Sequence, residues 1–426
     1  LAFRFVHTAD IHLDSPLKSL ALRHEGLGAL IANATRQAFV RIVDLCLDEA
    51  VDALLIAGDL YDGDQTSMKT ARFFAEQLYR LDAAGIRTFI LRGNHDALSK
   101  ITRELVLPAS VFTFGGRADA IVLDRGGRLP EIVVHGLSFS SPKAPDGLLP
   151  KYKAPVQRAV NIGLMHTSLN GAPGHDPYAP CSVSDLDASG FAYWALGHIH
   201  KRSDYVGRCT VVMPGNPQGR DINEDGQKSV SLVTVDDDGG IFVEERNVSI
   251  AQFERVNVDV SGAADRRDLI ETIASALKHR RATVETEHLI VRLRLTGTTP
   301  LAWTIRRDLD LIQEDIDLQA EIVGATWIEK VELVLETATP PHQTEAGDTL
   351  FELRRLITDE VGQSEGFHNA AEEFAADLVK ALPVELRGLL GDDPTTRRDI
   401  LNTLLSEGTD DVLARLRSPA GAGGVA

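Results

Sequence analysis

Between Phe3 and about Val248, short apolar runs rich in β-branched residues alternate with longer stretches whose apolar positions recur at helical spacing. Phe3–Thr8, Ala53–Ala57 and 88–91 read as buried strands, because the apolar run is continuous rather than alternating. Between them Phe39, Ile42, Val43 and Cys46 fall at i, i+3, i+4 and i+7, and Phe73, Phe74, Leu78 and Leu81 nearly repeat that spacing. Both stretches are predicted as amphipathic helices, and strand, helix, strand is the signature of an α/β layer fold. Further strands are predicted at 132–135, 162–165, 193–196, Thr210–Met213, 230–235 and 241–244. Helical spacers thin out here, which predicts a second, more antiparallel sheet packed on the first.

The texture changes near Val260. A helix at 269–277, an alternating strand at 288–295, a helix carrying Ile305, Leu309, Ile312 and Ile316, and an alternating strand at 327–335 predict a small α+β unit. A breaker-rich stretch follows, and beyond it 350–361, 370–382 and 399–416 are helical in period. A single core rarely grows past about 250–300 residues. The chain is therefore divided into residues 1–258, an α+β domain at 259–337, a linker at 338–347, a helical region at 348–417 and a flexible tail at 418–426. No internal repeat is visible.

Composition adds an objection. The 426 residues carry 44 Lys and Arg against 62 Asp and Glu, a formal net charge of −18. Taken whole, that disfavours partners held by bulk positive charge, nucleic acid and anionic membrane among them. The imbalance is uneven: residues 1–250 hold 25 basic and 30 acidic side chains, residues 251–426 hold 19 and 32. Most of the acidity thus lies outside the α/β layers. Three widely separated cysteines, Cys46, Cys181 and Cys209, read as small hydrophobes of a reducing compartment. No apolar run is long enough to span a bilayer and no basic-then-apolar leader is present, so a cytoplasmic protein without a membrane partner is expected. The first residue is Leu1, and an initiator or a few residues are expected to precede it.

The informative feature is where metal-capable side chains fall. Asp10 and His12 follow the first strand, Asp59 the second, Asn94, His95 and Asp96 the third; His166 ends another, and His198 with His200 another. The carboxyl edge of strands is where sites form in open α/β sheets. Gly58, Gly93 and Gly197 each precede a candidate ligand, as expected where a chain turns sharply and backbone approaches an ion. Each piece alone has an ordinary reading: Asp-x-His by chance, Gly-Asp as a turn, Asn-His-Asp as Asx-type turn bonds, His166 as a satisfied core residue. Those readings do not explain all five arriving in order, each at a strand end.

DxH, GDxxD, GNHD, a lone His and GHxH, in that order, resemble the calcineurin-like metallophosphoesterases. HTADIHLDSPL at 7–17, AGDLYD at 57–62, LRGNHD at 91–96, and WALGHIHKR followed by PGNPQGRDINEDGQKSV look like the SbcD-type DNA-repair exonucleases, closest to a YhaO-like branch. The resemblance covers roughly residues 3–248. It implies a sandwich of two β-sheets flanked by helices, with a small α+β capping domain and a helical C-terminal region. It implies two divalent ions, usually Mn²⁺: Asp10, His12 and His200 for one, Asn94, His166 and His198 for the other, Asp59 bridging. Mixed carboxylate, amide and imidazole donors suit Mn²⁺, although Fe or Zn could occupy such a set. His95 would face the phosphate and protonate the departing oxygen, with Asp96 fixing its pose.

The implied function is hydrolysis of DNA phosphodiesters, as exonuclease or endonuclease, by the nuclease component of a repair complex with an SMC-like ATPase of the SbcC/YhaN type. The helical region would dock that ATPase, and the resemblance also allows a homodimer. The alternative is a metallophosphoesterase acting on a small nucleotide, a diphosphate or a phosphoprotein. A non-enzymatic scaffold is a third reading, and a full ligand set beside a free His95 argues against it.

One position departs from some relatives, which carry His three residues after the bridging Asp; here it is Asp62. A carboxylate cannot donate to a phosphate, so Asp62 is expected to orient a neighbouring His or cap the next helix. Arg220 could hold a substrate phosphate or serve a turn. His7 is expected to pack beneath the site and His135 to lie near it. Lys278, His279, Arg280 and Arg281 form the one tight basic cluster, read as a solvated helix end. GxxxxGKS and GxGxxG are absent, so neither ATPase nor dinucleotide chemistry is expected of the chain itself.

Overall fold

The computed structural model describes residues 2–15, 25–62, 67–97, 106–123, 130–141, 146–169, 178–337, 352–353, 355–382 and 393–416. Chain contacts divide it into two units, Leu1–Glu254 with Glu285–Ile290, and Arg255–Val284 with Val291–Ala426.

The first unit holds, in chain order, β1 (Phe3–Thr8), α1 (Glu25–Asp48), β2 (Ala53–Ala57), α2 (Met68–Ala83), β3 (Arg87–Leu91), β4 (Val111–Thr113), β5 (Asp119–Leu123), β6 (Glu131–Gly136), β7 (Ala159–His166), α3 (Val183–Ala188), β8 (Tyr193–Gly197), β9 (Ser203–Val206), β10 (Thr210–Met213), β11 (Ser229–Val235) and β12 (Ile241–Asn247). One sheet has the order β12-β11-β1-β2-β3-β4 and the other β5-β6-β7-β8-β10-β9. The expected strands are present, and the second sheet is not the more antiparallel one. β6, β7, β8 and β10 pair in parallel and only β5 and β9 at the edges run antiparallel, the same balance as in the first sheet. Few helical spacers mean here that crossovers are made by loops, the short α3 and the hairpin arm β9, because a parallel pairing needs a long connection but not a helix.

Packing explains the layers. Phe5, Leu55, Phe89 and Val233 on the inner face of the first sheet meet Ile132, Ile162, Leu164, Tyr193 and Val212 on the inner face of the second. On the outer face of the first sheet, Phe39, Ile42, Val43 and Cys46 of α1 and Phe74, Leu78 and Leu81 of α2 cover Val6, Leu54, Ile56 and Ile90. The outer face of the second packs Trp194 with Phe191, Leu196, Val211, Met213 and Leu186. Trp194 lies so closely on β7 that a Cβ at Gly163 would sit 2.3 Å from its ring. This is a two-sheet sandwich flanked by helices.

The second unit is built from the far parts of β13 (Ala251–Asp259) and β14 (His288–Thr299), with α4 (Arg266–Thr283), α5 (Ala302–Arg307), α6 (Leu309–Val323) and β15 (Thr326–Thr337). The sheet order is β13-β14-β15. The single helix expected around 305–316 is two, broken at Asp308 (φ −105°, ψ 27°), where the backbone leaves helical geometry while the apolar spacing carries on through Ile312 and Ile316. Two further helices follow, α7 (Glu365–Ala381) and α8 (Pro394–Leu416), and within the helix expected over 350–361 the described residues 352–353 and 355 are α-helical and Leu356–Val361 forms a wider helical turn. The linker at 338–347 and the tail at 418–426 lie outside the described residues. Among the described residues no helix is long and apolar enough to cross a membrane.

Candidate metal centre

β1, β2 and β3 are parallel, so their carboxyl ends open on one edge, and the chain leaving β1 keeps pairing with the chain leaving β2. The backbone N–H of Asp10 donates to the Gly58 carbonyl (3.0 Å), that of His12 to Asp59 (3.1 Å) and that of Leu13 to Leu60 (2.9 Å). Holding that course requires left-handed backbone at Asp10 (φ 50°), His12 (φ 47°) and Asp59 (φ 50°), and positive φ again at His198 (108°). Each such residue costs about 1–3 kcal/mol, and strain of this kind gathers where a site dictates the chain path. The glycines have measurable reasons. A Cβ at Gly93 would lie 2.2 Å from Asp59 Oδ1 and 2.7 Å from His166 Nε2; at Gly58 (φ 97°) it would lie 2.4 Å from His166 Nδ1; at Gly197, 2.1 Å from the Ala57 carbonyl oxygen.

Two groups of donors result. The ligand atoms of Asp10, His12 and His200 lie within 4.8 Å of one another, and so do those of Asp59, His166 and His198. In the first group the Nε2 atoms of His12 and His200 face each other at 3.2 Å. In the second, His166 Nε2 lies 3.3 Å from Asp59 Oδ2 and 3.0 Å from Asn94 Oδ1. The groups are joined, since both carboxylate oxygens of Asp10 accept from the backbone N–H of His198 (3.0 and 2.9 Å); within the second group the His166 and His198 rings meet edge to face at 5.1 Å. His166 is aimed by its other nitrogen, 3.0 Å from the Ala57 carbonyl.

Electrostatics agree with cation sites. Burial pushes the Asp10 carboxyl up to about 6 and the His12 imidazole down to about 3. Burial also opposes charge at His166, yet Asp59, Asp10 and the Ala57 carbonyl together outweigh it and lift the ring to about 9. Facing imidazole nitrogens beside buried carboxylates are a donor set that divalent ions satisfy, and the residues present fit a candidate dinuclear centre.

His95 stands apart. Its side chain is 44% exposed where those of His12 and His166 are buried, and its Nδ1 lies 2.9 Å from Asp62 Oδ1. The Asp62 carboxylate holds the imidazolium above its ordinary range. Asp62 is fixed in turn by the Ser15 hydroxyl, which donates to Oδ2 at 2.7 Å. This corrects the pairing expected for Asp96. The Asp96 carboxylate is buried, accepts from the backbone N–H groups of Gly93 (2.6 Å) and Leu60 (3.1 Å), and is pushed up to about 7 by burial and the charge of Asp59. It clamps the GNHD turn, a 93-to-96 contact, whereas the residue that reaches the His95 ring comes from the β2 loop.

Glu224, not singled out in the sequence, sits behind His200. Its Oε1 lies 2.8 Å from His200 Nδ1, and its Oε2 accepts from Asn216 Nδ2 and from the Arg220 backbone, each at 2.8 Å. The signal was present in PGNPQGRDINED, whose turn folds this carboxylate back. Arg220 is correspondingly not a free fork for phosphate: its Nη2 donates to Glu224 Oε1 at 2.6 Å and its Nη1 lies 3.7 Å from Asp62 Oδ2. His7 does pack beneath, between the Tyr193 hydroxyl (2.9 Å) and the Leu196 carbonyl (3.0 Å). His135 does not join the site; its Nε2 faces Asn161 Oδ1 (2.9 Å) and its ring packs on Phe191. The 278–281 basic cluster lies on the last turns of α4, in the second unit.

Two family profiles match the sequence, calcineurin-like phosphoesterase over residues 3–202 and the middle domain of metallophosphoesterase YhaO over 253–336. An uncharacterized metallophosphoesterase YhaO of Bacillus subtilis (strain 168) is 32% identical over 320 residues, 74% of this chain and 77% of that protein. The DNA double-strand break repair protein Mre11 of Methanopyrus kandleri is 23% identical over 433 residues, 95% of this chain and 86% of its own length. The D component of the SbcCD nuclease of Escherichia coli (strain K12) is 25% identical over 287 residues, 58% and 69% respectively.

Proposed function

Since the chain belongs to the calcineurin-like metallophosphoesterases, on the YhaO-like branch, we propose that it is a two-metal phosphodiesterase that cuts DNA. The observation that carries this reading is the pair of donor groups, buried except for the half-buried His200, gathered from strand ends of both sheets with an exposed, carboxylate-backed His95 beside them. Asp10, His12 and His200 would hold one ion, Asn94, His166 and His198 the other, with Asp59 shared, and Mn²⁺ is the metal of choice. Bound ions of this kind lower the pKa of water and neutralise phosphoryl oxygens.

The protein's own groups do the rest. The carboxylate of Asp62 accepts a hydrogen bond from the Nδ1–H of His95, which leaves Nε2 as the nitrogen that meets substrate. Held toward its charged form, the ring can balance the negative charge that grows on the phosphate and pass a proton to the departing sugar oxygen. Asp96 keeps the backbone of Asn94 and His95 in place through Gly93 and Leu60.

DNA, preferably at ends, is favoured as substrate because two of the relatives, the Mre11 protein that spans 95% of this chain and the SbcCD component that spans 58%, are named for double-strand break repair and as part of a nuclease. Partnership with an ATPase of the SbcC or YhaN type, docking through the helical region 348–417, a capping role for 259–337 and a cytoplasmic setting belong to the same reading. The test compares wild type and His95→Gln on linear DNA with Mn²⁺. Wild type should degrade it and the variant should lose about 100-fold or more in rate, the usual scale of a lost general acid. Equal digestion by both would refute the role of His95. Turnover of a model phosphodiester with no DNA cleavage, even beside an ATPase partner, would point to a small phosphoester instead.

A further inference from the structure

We propose that Glu224 is a positioning residue, the carboxylate that sets the tautomer and aim of His200 for one of the two metal positions; this rests on the two-metal reading above. The Glu224 side chain is 9% exposed and closes the short turn Ile222–Glu224, whose start is capped by Asp221 accepting from the Asn223 N–H at 2.7 Å. Four donors converge on it: Asn216 Nδ2, the Arg220 backbone, the Arg220 guanidinium and the ring of His200. A carboxylate accepts only, so the His200 proton sits on Nδ1 and the Nε2 lone pair is turned to face His12 Nε2, 3.2 Å away.

The other metal position is supported differently. His166 is aimed by the neutral carbonyl of Ala57, not by a carboxylate. A carboxylate behind a ligating imidazole raises its basicity and fixes its rotamer, and removing such a partner typically costs about 10–100-fold in metal affinity. The two ions are therefore expected to differ in their dependence on Glu224. Arg220 acquires a role from the same geometry: by holding both oxygens of Glu224 it fixes the carboxylate that fixes His200.

The experiment titrates the full chain with Mn²⁺ by calorimetry and counts bound ions by electron paramagnetic resonance, for wild type, Glu224→Ala and Glu224→Gln. Wild type should bind two ions. Glu224→Ala should weaken one of them about 10–100-fold and leave the other within a few-fold, while Glu224→Gln, which keeps an acceptor oxygen but no charge, should fall between. If Glu224→Ala does not fold by circular dichroism, Glu224→Gln decides alone, and weakening confined to one ion supports the assignment. Two ions bound with wild-type affinities by the folded Ala variant, or by the Gln variant where Ala does not fold, would overturn the proposal and leave the two-metal reading standing. Equal weakening of both ions would overturn it as well. Fewer than two ions bound by wild type would refute the two-metal reading and this proposal with it.

Discussion

At the scale of single residues, the candidate site was legible to the extent that position along the chain determines position in space. Parallel strands put their carboxyl ends side by side, so Asp10, His12, Asp59 and Asn94 gather at one edge of the first sheet and His166, His198 and His200 at an edge of the second; the reading of a single sheet edge is corrected, since it is the packing of the two sheets that brings both sets together. What adjacency in sequence could not reveal was which side chain turns toward which. Asp96 follows His95 directly and yet binds the turn backbone, while Asp62, from a different loop, meets the ring. Glu224 reaches His200 across 24 residues of chain. The glycine before Asn94 is the sharpest residue-scale case. Gly93→Ala would drive a methyl into Asp59 Oδ1 and His166 Nε2, with backbone and buried rings unable to yield cheaply. The expected result is a loss of Mn²⁺ binding together with about 1–3 kcal/mol of stability, read by metal titration and urea unfolding. Native metal affinity in that variant would contradict the packing described.

Elements announced themselves when their pattern was continuous and stayed silent when they were edges. β4 is three residues long and β9 closes one side of the second sheet with exposed positions, so neither shows a long apolar run, whereas β5 on the other side carries an apolar run at 120–123 for which no strand is predicted. β13 alternates buried and exposed residues along Arg255–Asp259, but it lies just before the change of texture near Val260, and the sequence division places 251–258 with the first domain without predicting a strand there. Helix ends were invisible to periodicity alone, since caps are polar. Ser67 is one: its side chain accepts from the Thr70 N–H at 3.2 Å and starts α2, whose Phe74, Leu78 and Leu81 cover the first sheet. Ser67→Ala should cost about 1 kcal/mol, seen as a lower urea midpoint with an unchanged slope; a neutral change would mean that the Thr70 amide finds another partner.

For the whole molecule, the acidity that seemed to exclude nucleic acid is concentrated outside the α/β unit, and divalent ions held by the candidate donors would bring positive charge to the site proposed for phosphate. A chain with buried, facing donors should also be more stable when they are filled. At a Mn²⁺ concentration about 100 times its Kd, each binding step adds about 2.7 kcal/mol, so the melting temperature should rise with Mn²⁺ and fall back on chelation, as differential scanning calorimetry would show. A melting temperature indifferent to Mn²⁺ and chelator would contradict the reading of those donors as ligands.

The division of the chain itself has a consequence for how the molecule can be taken apart. Residues 285–290 return to the first unit after 255–284 have served the second, with the His288 N–H bonded to the Ile250 carbonyl and Glu287 paired with Arg41. In chain order the second unit is thus interrupted by a short return to the first. A list of consecutive ranges, such as a cut at 258, marks where composition changes and has no way to record that return. One break in the backbone between Arg255 and Val284 leaves covalent segments of both units on its far side, so no single cleavage there yields the first unit whole.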